Sequence, residues 1–366
     1  MAPTAPTRPH ALLAGGGTGG HVFPALAVAE ELLARGWTVS FTGSTAGLEE
    51  RLVAARNLPF HPLPAKPLVG KGLVGKLSAV TTMMSSGRAA AGLIRKLGVD
   101  VVLGTGGYVS APAVFGARLA RRPIFLLEPN ARAGVANRWL SRWARGAFVG
   151  YRDTINDLKC PCWVAGVPVR AAFFAVPEEL PPLDPPRLLV LGGSQGAKQI
   201  NQALPEAAAR LALRLPGLRI VHQAGARNLE EARAAYAAAG LTERNVEVVP
   251  FLDDVASAMA ASHLLVSRAG AITLAEICAA GRPSVLVPLS IAQGHQMDNA
   301  RVLAEAGGAE VIPSPDFSAE RLAALVGDLL ADGARLARMG TAARSLARPR
   351  AVTEIADRLE EAGGRG

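Results

Sequence analysis

Ala14-Gly15-Gly16-Gly17-Thr18-Gly19-Gly20-His21-Val22-Phe23-Pro24-Ala25-Leu26-Ala27 is the stretch that decides how this chain folds. The apolar run at residues 11–14 enters it and reads as a strand. The run that leaves it carries Leu26, Ala29, Leu32 and Leu33 at helical spacing. Between the two lie five glycines in six residues. A turn of this kind presents backbone N–H groups at a helix N-terminus, where the helix dipole favours an anion. His21 closes the turn and is placed to project from the first turn of the helix.

Gly15, Gly17 and Gly20 satisfy G-x-G-x-x-G, the pattern of a dinucleotide turn. Such a site also wants an acidic residue about 20 positions on, at the end of the second strand. Here that strand, residues 37–41, runs into Thr42-Gly43-Ser44 and offers no carboxylate. The Lys of a phosphate-binding P-loop is missing as well, and His21 stands in its place. A turn that serves packing alone is the plain alternative. It loses weight because the pattern returns at Gly104-Thr105-Gly106-Gly107-Tyr108-Val109-Ser110-Ala111-Pro112 and at Leu191-Gly192-Gly193-Ser194-Gln195-Gly196-Ala197-Lys198.

The surrounding chain alternates strands and helices. Strand readings fall at 38–41, 99–103, 124–127 and 147–149 in the first half. In the second half they fall at 187–191, 219–222, 246–249, 264–266 and 284–287. Helical runs intervene at 48–56, 133–144, 197–213, 228–239 and 272–279. This order predicts an α/β protein with parallel sheets covered on both faces. At 366 residues the chain exceeds one ordinary core, so two domains are expected. The Pro-rich stretch 177–186 reads as a linker, with a closure hinge near 167–186. The expected division is 1–168 and 169–347, with a last helix within 348–366 packing back on the first domain.

The net charge of +9 points to anionic partners, phosphates or an anionic membrane surface. The basic residues are scattered and no nucleic-acid motif appears, so no nucleic acid is expected. Cys160, Cys162 and Cys278 make no disulfide framework and no C-x-x-C. No secretory signal opens the chain, and no apolar run is long enough to span a membrane.

The three glycine turns resemble those of the MurG family, bacterial peptidoglycan glycosyltransferases of family 28. So do Glu128-Pro129-Asn130, Gly166-Val167-Pro168-Val169-Arg170, Phe251-Leu252-Asp253-Asp254, the run from Ser267 through Glu276, and Gln296-Met297-Asp298-Asn299-Ala300. The resemblance covers nearly the whole chain in order. It implies a GT-B fold, two Rossmann-like domains facing a central cleft. It implies inverting transfer of GlcNAc from UDP-GlcNAc to the C4 hydroxyl of MurNAc-pentapeptide on undecaprenyl pyrophosphate. It also implies a peripheral place on the cytoplasmic face of the cell membrane.

Residue roles follow from the same resemblance. His21 suits the acceptor's base, because an imidazole titrates near working pH. Asn130 and Glu128 join it as catalytic candidates. Gly17, Thr18, Gly106, Gly107 and Tyr108 are expected on the acceptor pyrophosphate. Thr18, Gly19, Gly20, Asn130, Arg170, Ser194, Gln195 and Gly196 are expected on the donor. So are Phe251 and Leu252 at the uracil, Ala271, Ile272 and Thr273 at a helix N-terminus, Glu276 on the ribose, and Gln296 and Asn299 on the sugar. Arg268 is a further candidate for the donor. Relatives commonly carry His-Glu-Gln-Asn where this chain has Leu127-Glu128-Pro129-Asn130, and Asn where it has Val167. No D-x-D occurs, so no metal or other cofactor is expected. The stretch from Lys66 through Leu77, followed by Met83, Met84 and Arg88, mixes basic and apolar residues as a membrane-surface segment does. A UDP-GlcNAc 2-epimerase on the same architecture and a non-catalytic nucleotide-sugar binder remain as alternatives.

Overall fold

The computed structural model describes residues 8–45, 47–65, 73–193, 196–289 and 295–364, without the side chains of residue 48 and residues 73–80. The chain divides into two compact units, Met1–Val169 with Arg350–Gly366, and Arg170–Pro349.

The first unit is built on seven parallel strands: β1 (His10–Ala14), β2 (Thr38–Gly43), β3 (Phe60–Pro62), β4 (Val101–Gly104), β5 (Ile124–Glu128), β6 (Gly146–Val149) and β7 (Cys162–Trp163), in the order β3-β2-β1-β4-β5-β6-β7. Helices α1 (Gly19–Ala34), α2 (Leu48–Ala54), α3 (Leu73–Leu97), α4 (Gly107–Ala120) and α5 (Val135–Leu140) connect them. Apolar side chains of β1, β4 and β5 point alternately to two cores. Leu13, Val39 and Leu103 pack under α1, while Leu12, Val102 and Leu126 pack on the other face with Val114 and Ile94. Strands buried on both faces read as unbroken apolar runs, which is why these elements were visible in the sequence. The two-residue β7 and three-residue β3 give no such run.

The second unit repeats the plan with β8 (Arg187–Leu191), β9 (Arg219–Gln223), β10 (Val246–Val249), β11 (Leu264–Ser267), β12 (Ser284–Leu286) and β13 (Ala309–Val311), in the order β10-β9-β8-β11-β12-β13. Its helices are α6 (Ala171–Phe174), α7 (Lys198–Arg214), α8 (Leu229–Ala238), α9 (Val255–Ala260), α10 (Ala271–Ala280), α11 (His295–Glu305), α12 (Ala319–Leu330) and α13 (Gly333–Ser345). The last helix, α14 (Ala351–Gly363), belongs to the first unit. Its Ile355, Ala356 and Leu359 enter the core beneath α1. Arg35 Nη1 donates to Asp357 Oδ1 and Glu360 Oε2 at 2.7 Å each, and Trp37 Nε1 donates to Glu360 Oε1 at 3.0 Å.

The Pro-rich stretch does not behave as a free linker. It lies within the second unit, where Leu180 and Leu183 pack on the core. His263 Nε2 lies 3.0 Å from the carbonyls of both Pro181 and Pro182. The fully buried Arg282 donates through Nη1 to Pro177 O at 2.9 Å. Carbonyls of a proline run have no ladder partner, and side-chain donors satisfy them here.

One buried polar network crosses the second core. Asn201 Nδ2 donates to Ala224 O at 2.9 Å, so Asn201 Oδ1 faces His222 Nε2 at 3.1 Å and accepts its proton. His222 Nδ1 is then bare and accepts from Tyr236 Oη at 3.0 Å. Burial pushes the His222 pKa down to about 4.

Candidate functional site

In the first unit β1 and β4 are neighbours, with Ala14 opposite Gly104. The two glycine turns that follow them are therefore side by side. Thr105 N donates to Ala14 O at 2.8 Å. Thr105 Oγ1 donates to His21 O at 2.7 Å, and His21 Nδ1 lies 2.7 Å from Thr105 O. A carbonyl only accepts, so Nδ1 carries the proton and Nε2 keeps its lone pair in the neutral ring. Burial lowers the His21 pKa below its ordinary 6.5, against the opposing charge of Glu128 and the Thr105 hydrogen bond. The imidazole is thus a neutral base whose reactive nitrogen is fixed by the second turn.

That second turn comes close to the ring. A Cβ at Gly106 would lie 3.1 Å from His21 Cε1, and one at Gly107 would lie 3.3 Å from Cδ2. Both residues hold positive φ, +91° and +70°, which side chains rarely adopt. Gly107 and the exposed Tyr108 open α4, whose first turn holds no acidic residue and whose N-cap offers no side chain.

Glu128 ends β5 and is buried. Its Oε1 accepts from Asn130 N at 3.1 Å and Asn130 Nδ2 at 2.9 Å. Its Oε2 accepts from Gly134 N at 2.9 Å and Asn137 Nδ2 at 3.0 Å. Four donors on two oxygens make this carboxylate a fastener for the 129–137 segment, with Asn130 as its first client. Asn137 was not singled out from sequence. Gly17 N–H, expected on a pyrophosphate, instead donates to Glu49 Oε2 at 3.1 Å. Thr18 is exposed at the N-cap of α1, and Gly19 and Gly20 begin that helix.

In the second unit the turn after β8 is anchored by Gly192 N, which donates to Gln223 O at 3.1 Å. Ser194 and Gln195 lie outside the described residues. Gly196 sits so close to β9 that a Cβ there would meet Ala224 O at 2.1 Å. Phe251, 49% exposed, follows β10, with the partly buried Leu252 beside it. Ala271, Ile272 and Thr273 form the first turn of α10, which has Gly270 at its N-cap and no capping side chain. Its N–H groups are left for a ligand or water.

Further along α10, Glu276 is 16% exposed and stands 3.9 Å from Arg170 Nη2. Burial raises its pKa to about 7, and Arg170 opposes that rise. The Arg170 guanidinium also lies 5.0 Å over the Phe173 ring. Arg268 Nη1 donates to Val287 O at 2.8 Å and Gln199 Oε1 at 3.2 Å, while its Nε is buried without a partner among the described residues. Gln296 Oε1 accepts from Leu289 N at 3.1 Å, and buried Asn299 donates from Nδ2 to Ala269 O at 3.2 Å. These two residues of α11 fasten the loops that flank the α10 N-terminus. Gln199 is a member of this cluster that no sequence pattern singles out.

Comparison with known proteins places this architecture. Residues 11–149 match the glycosyltransferase family 28 N-terminal domain, and residues 187–358 match the family 28 C-terminal domain. The chain is 44% identical over 355 residues to a Halorhodospira halophila protein named UDP-N-acetylglucosamine--N-acetylmuramyl-(pentapeptide) pyrophosphoryl-undecaprenol N-acetylglucosamine transferase, covering 95% of this chain and 97% of that protein. The crystal structure of Acinetobacter baumannii MurG superposes with a TM-score of 0.78 at 34% identity, over 96% of this chain and 99% of that one. A putative UDP-N-acetylglucosamine 2-epimerase from Listeria monocytogenes shares the fold alone, with a TM-score of 0.71 at 15% identity over 97% of this chain and 96% of that one. With both halves matched and the order of the two units preserved, the chain belongs to glycosyltransferase family 28.

Proposed function

We propose that this chain transfers GlcNAc from UDP-GlcNAc to the C4 hydroxyl of MurNAc-pentapeptide carried on undecaprenyl pyrophosphate, with inversion at the anomeric carbon. The observation that carries the reading is identity above 40% along nearly the whole chain to a protein named for that reaction. The neutral His21, with Nε2 free to accept a proton, supplies the chemistry that the reaction needs.

His21 Nε2 takes the proton of the acceptor hydroxyl as its oxygen attacks the anomeric carbon. The bond to the UDP oxygen breaks, and the charge that develops on the diphosphate is met by fixed N–H groups. The first turn of α10 supplies these, with Arg170 and Arg268 beside it. Glu276 accepts from the ribose hydroxyls, Phe251 covers the uracil, and Gln296 and Asn299 shape the sugar pocket. Glu128 acts by holding Asn130 rather than by moving a proton, because all of its bonds are donors from its own segment. The acceptor pyrophosphate falls to Gly106, Gly107 and Tyr108 at the start of α4.

A lipid-borne acceptor calls for a place at the cytoplasmic membrane surface. The segment 66–72 lies outside the described residues. Support comes from its Lys-rich, apolar sequence and from exposed Met84 and Arg88 just beyond it on α3. No described helix is long and apolar enough to cross a membrane. The test of the function is UDP release with and without lipid-linked MurNAc-peptide. Release that requires the acceptor supports the transferase. Release without it favours an epimerase-like or hydrolytic activity.

A further inference from the structure

The second strand ends without an acid, yet a carboxylate reaches the first glycine turn from further along. Glu49, in the first turn of α2, is fully buried at 0% exposure. Its side chain lies over the C-terminal ends of β1 and β2, the edge where open α/β sheets hold their ligands. Oε2 accepts from Gly17 N at 3.1 Å, and Oε1 accepts from Ser44 N at 2.9 Å and Ser44 Oγ at 2.5 Å. All three donors are uncharged. Burial by itself would raise the pKa, but the Ser44 hydroxyl and the surrounding amides outweigh it and hold the group below the usual carboxylate value.

Three glycines clear the room for this side chain. A Cβ at Gly16 would lie 2.3 Å from Glu49 Oε1, one at Gly43 2.6 Å from Cγ, and one at Gly47 2.5 Å from the carboxylate carbon. Real side chains do not approach so closely. The turn, the end of β2 and the start of α2 each lack a side chain where this carboxylate passes. The arrangement is a built anion site whose occupant belongs to the protein.

We propose that Glu49 is a specificity-determining residue. It fills the anion position of the first glycine turn, so that this turn admits an uncharged sugar hydroxyl to His21 and refuses a phosphate. The proposal rests on the reading of His21 as the base for the acceptor. It explains how two adjacent turns of similar sequence divide their work. The turn at Gly17 faces a like charge, while the turn at Gly106 opens a helix with no acid in its first turn.

The experiment measures inhibition by inorganic pyrophosphate against the lipid acceptor, at saturating UDP-GlcNAc, for wild type, Glu49→Gln and Glu49→Asp. Removing the charge in Glu49→Gln is expected to tighten acceptor-competitive inhibition about tenfold. Glu49→Asp keeps the charge and is expected to stay within about twofold of wild type. UDP binding by each variant reports that the second unit is intact. Unchanged inhibition in Glu49→Gln overturns the proposal, as does tightening in Glu49→Asp equal to that in Glu49→Gln. If Glu49→Gln does not fold, Glu49→Ser removes the same charge and carries the same expectation, and unchanged inhibition there overturns the proposal. A wild type that releases UDP without acceptor would instead remove the transferase reading, an outcome visible before any variant is made.

Discussion

Glu276 offers the sharpest test of the proposal that the second unit holds the donor. Its carboxyl is raised to about 7 by burial, so near neutral pH it is half protonated when no donor is bound. A carboxylate that accepts from two ribose hydroxyls must be ionised, so UDP-GlcNAc selects the charged form and expels the proton. With a free-state value near 7, the ionised fraction rises from about one tenth at pH 6 to about nine tenths at pH 8. The dissociation constant should therefore fall about tenfold across that interval, about 1.4 kcal/mol of binding. UDP-GlcNAc has no phosphate group that titrates there, so the slope belongs to the protein. Calorimetric titration at pH 6, 7 and 8 reads it directly. Glu276→Gln should bind more weakly and with a flat profile. A flat profile in wild type, or an equal slope in Glu276→Gln, would refute the reasoning and return Glu276 to a partner of Arg170 alone.

Other expectations follow from the same geometry. His21→Ala should lower kcat by about 10²–10⁴-fold while UDP affinity stays within about twofold, and a smaller loss would take the base role elsewhere. Excess chelator should leave activity intact if, as proposed, amides and arginines meet the diphosphate charge; loss restored by magnesium would overturn this. His222 is neutral at about pH 4 and above in the folded state but charges near 6.5 when unfolded, so its stabilisation is present above 6.5 and lost as pH falls. Urea unfolding at pH 7 and pH 5 should differ by about 2 kcal/mol more in wild type than in His222→Gln. Replacing Lys71, Leu73 and Lys76 with Glu should reduce sedimentation with anionic vesicles, and unchanged sedimentation would remove that segment from the membrane surface.

Much of the architecture was legible because the strands are buried on both faces. Residues 187–191 and 264–266 read as apolar runs, and the structure pairs them as β8 and β11. The helix predicted over 133–144 is shorter, Val135–Leu140, and tightens into a single 3₁₀ turn at Ser141–Trp143. Periodicity sees apolar spacing and is blind to that change of hydrogen bonding. The Pro-rich stretch misled as a linker because composition reports what a segment cannot do for itself, not that Arg282 and His263 will satisfy its carbonyls. Among the candidate site residues, His21 was visible from its place in a glycine turn. Thr105, which fixes the His21 tautomer, acts through a carbonyl 84 positions away, and no local pattern carries that. Glu49 was hidden for the same reason. Its helix looks like any solvated surface helix, and only the folded chain shows three glycines opening a path for it.

The chain leaves the first unit at Val169 and comes back to it at Arg350, so the second unit is an insertion in the first. The ribosome must therefore finish the second unit before it can deliver α14. Until then Trp37 and Arg35 lack Glu360 and Asp357, and the core beneath α1 lacks Ile355 and Leu359. The half that is made first is the half completed last. An emerging chain can close its second sheet while the first stays open along one face. A polypeptide cut short by its final helix would lose support far from the cut, under the helix that carries His21.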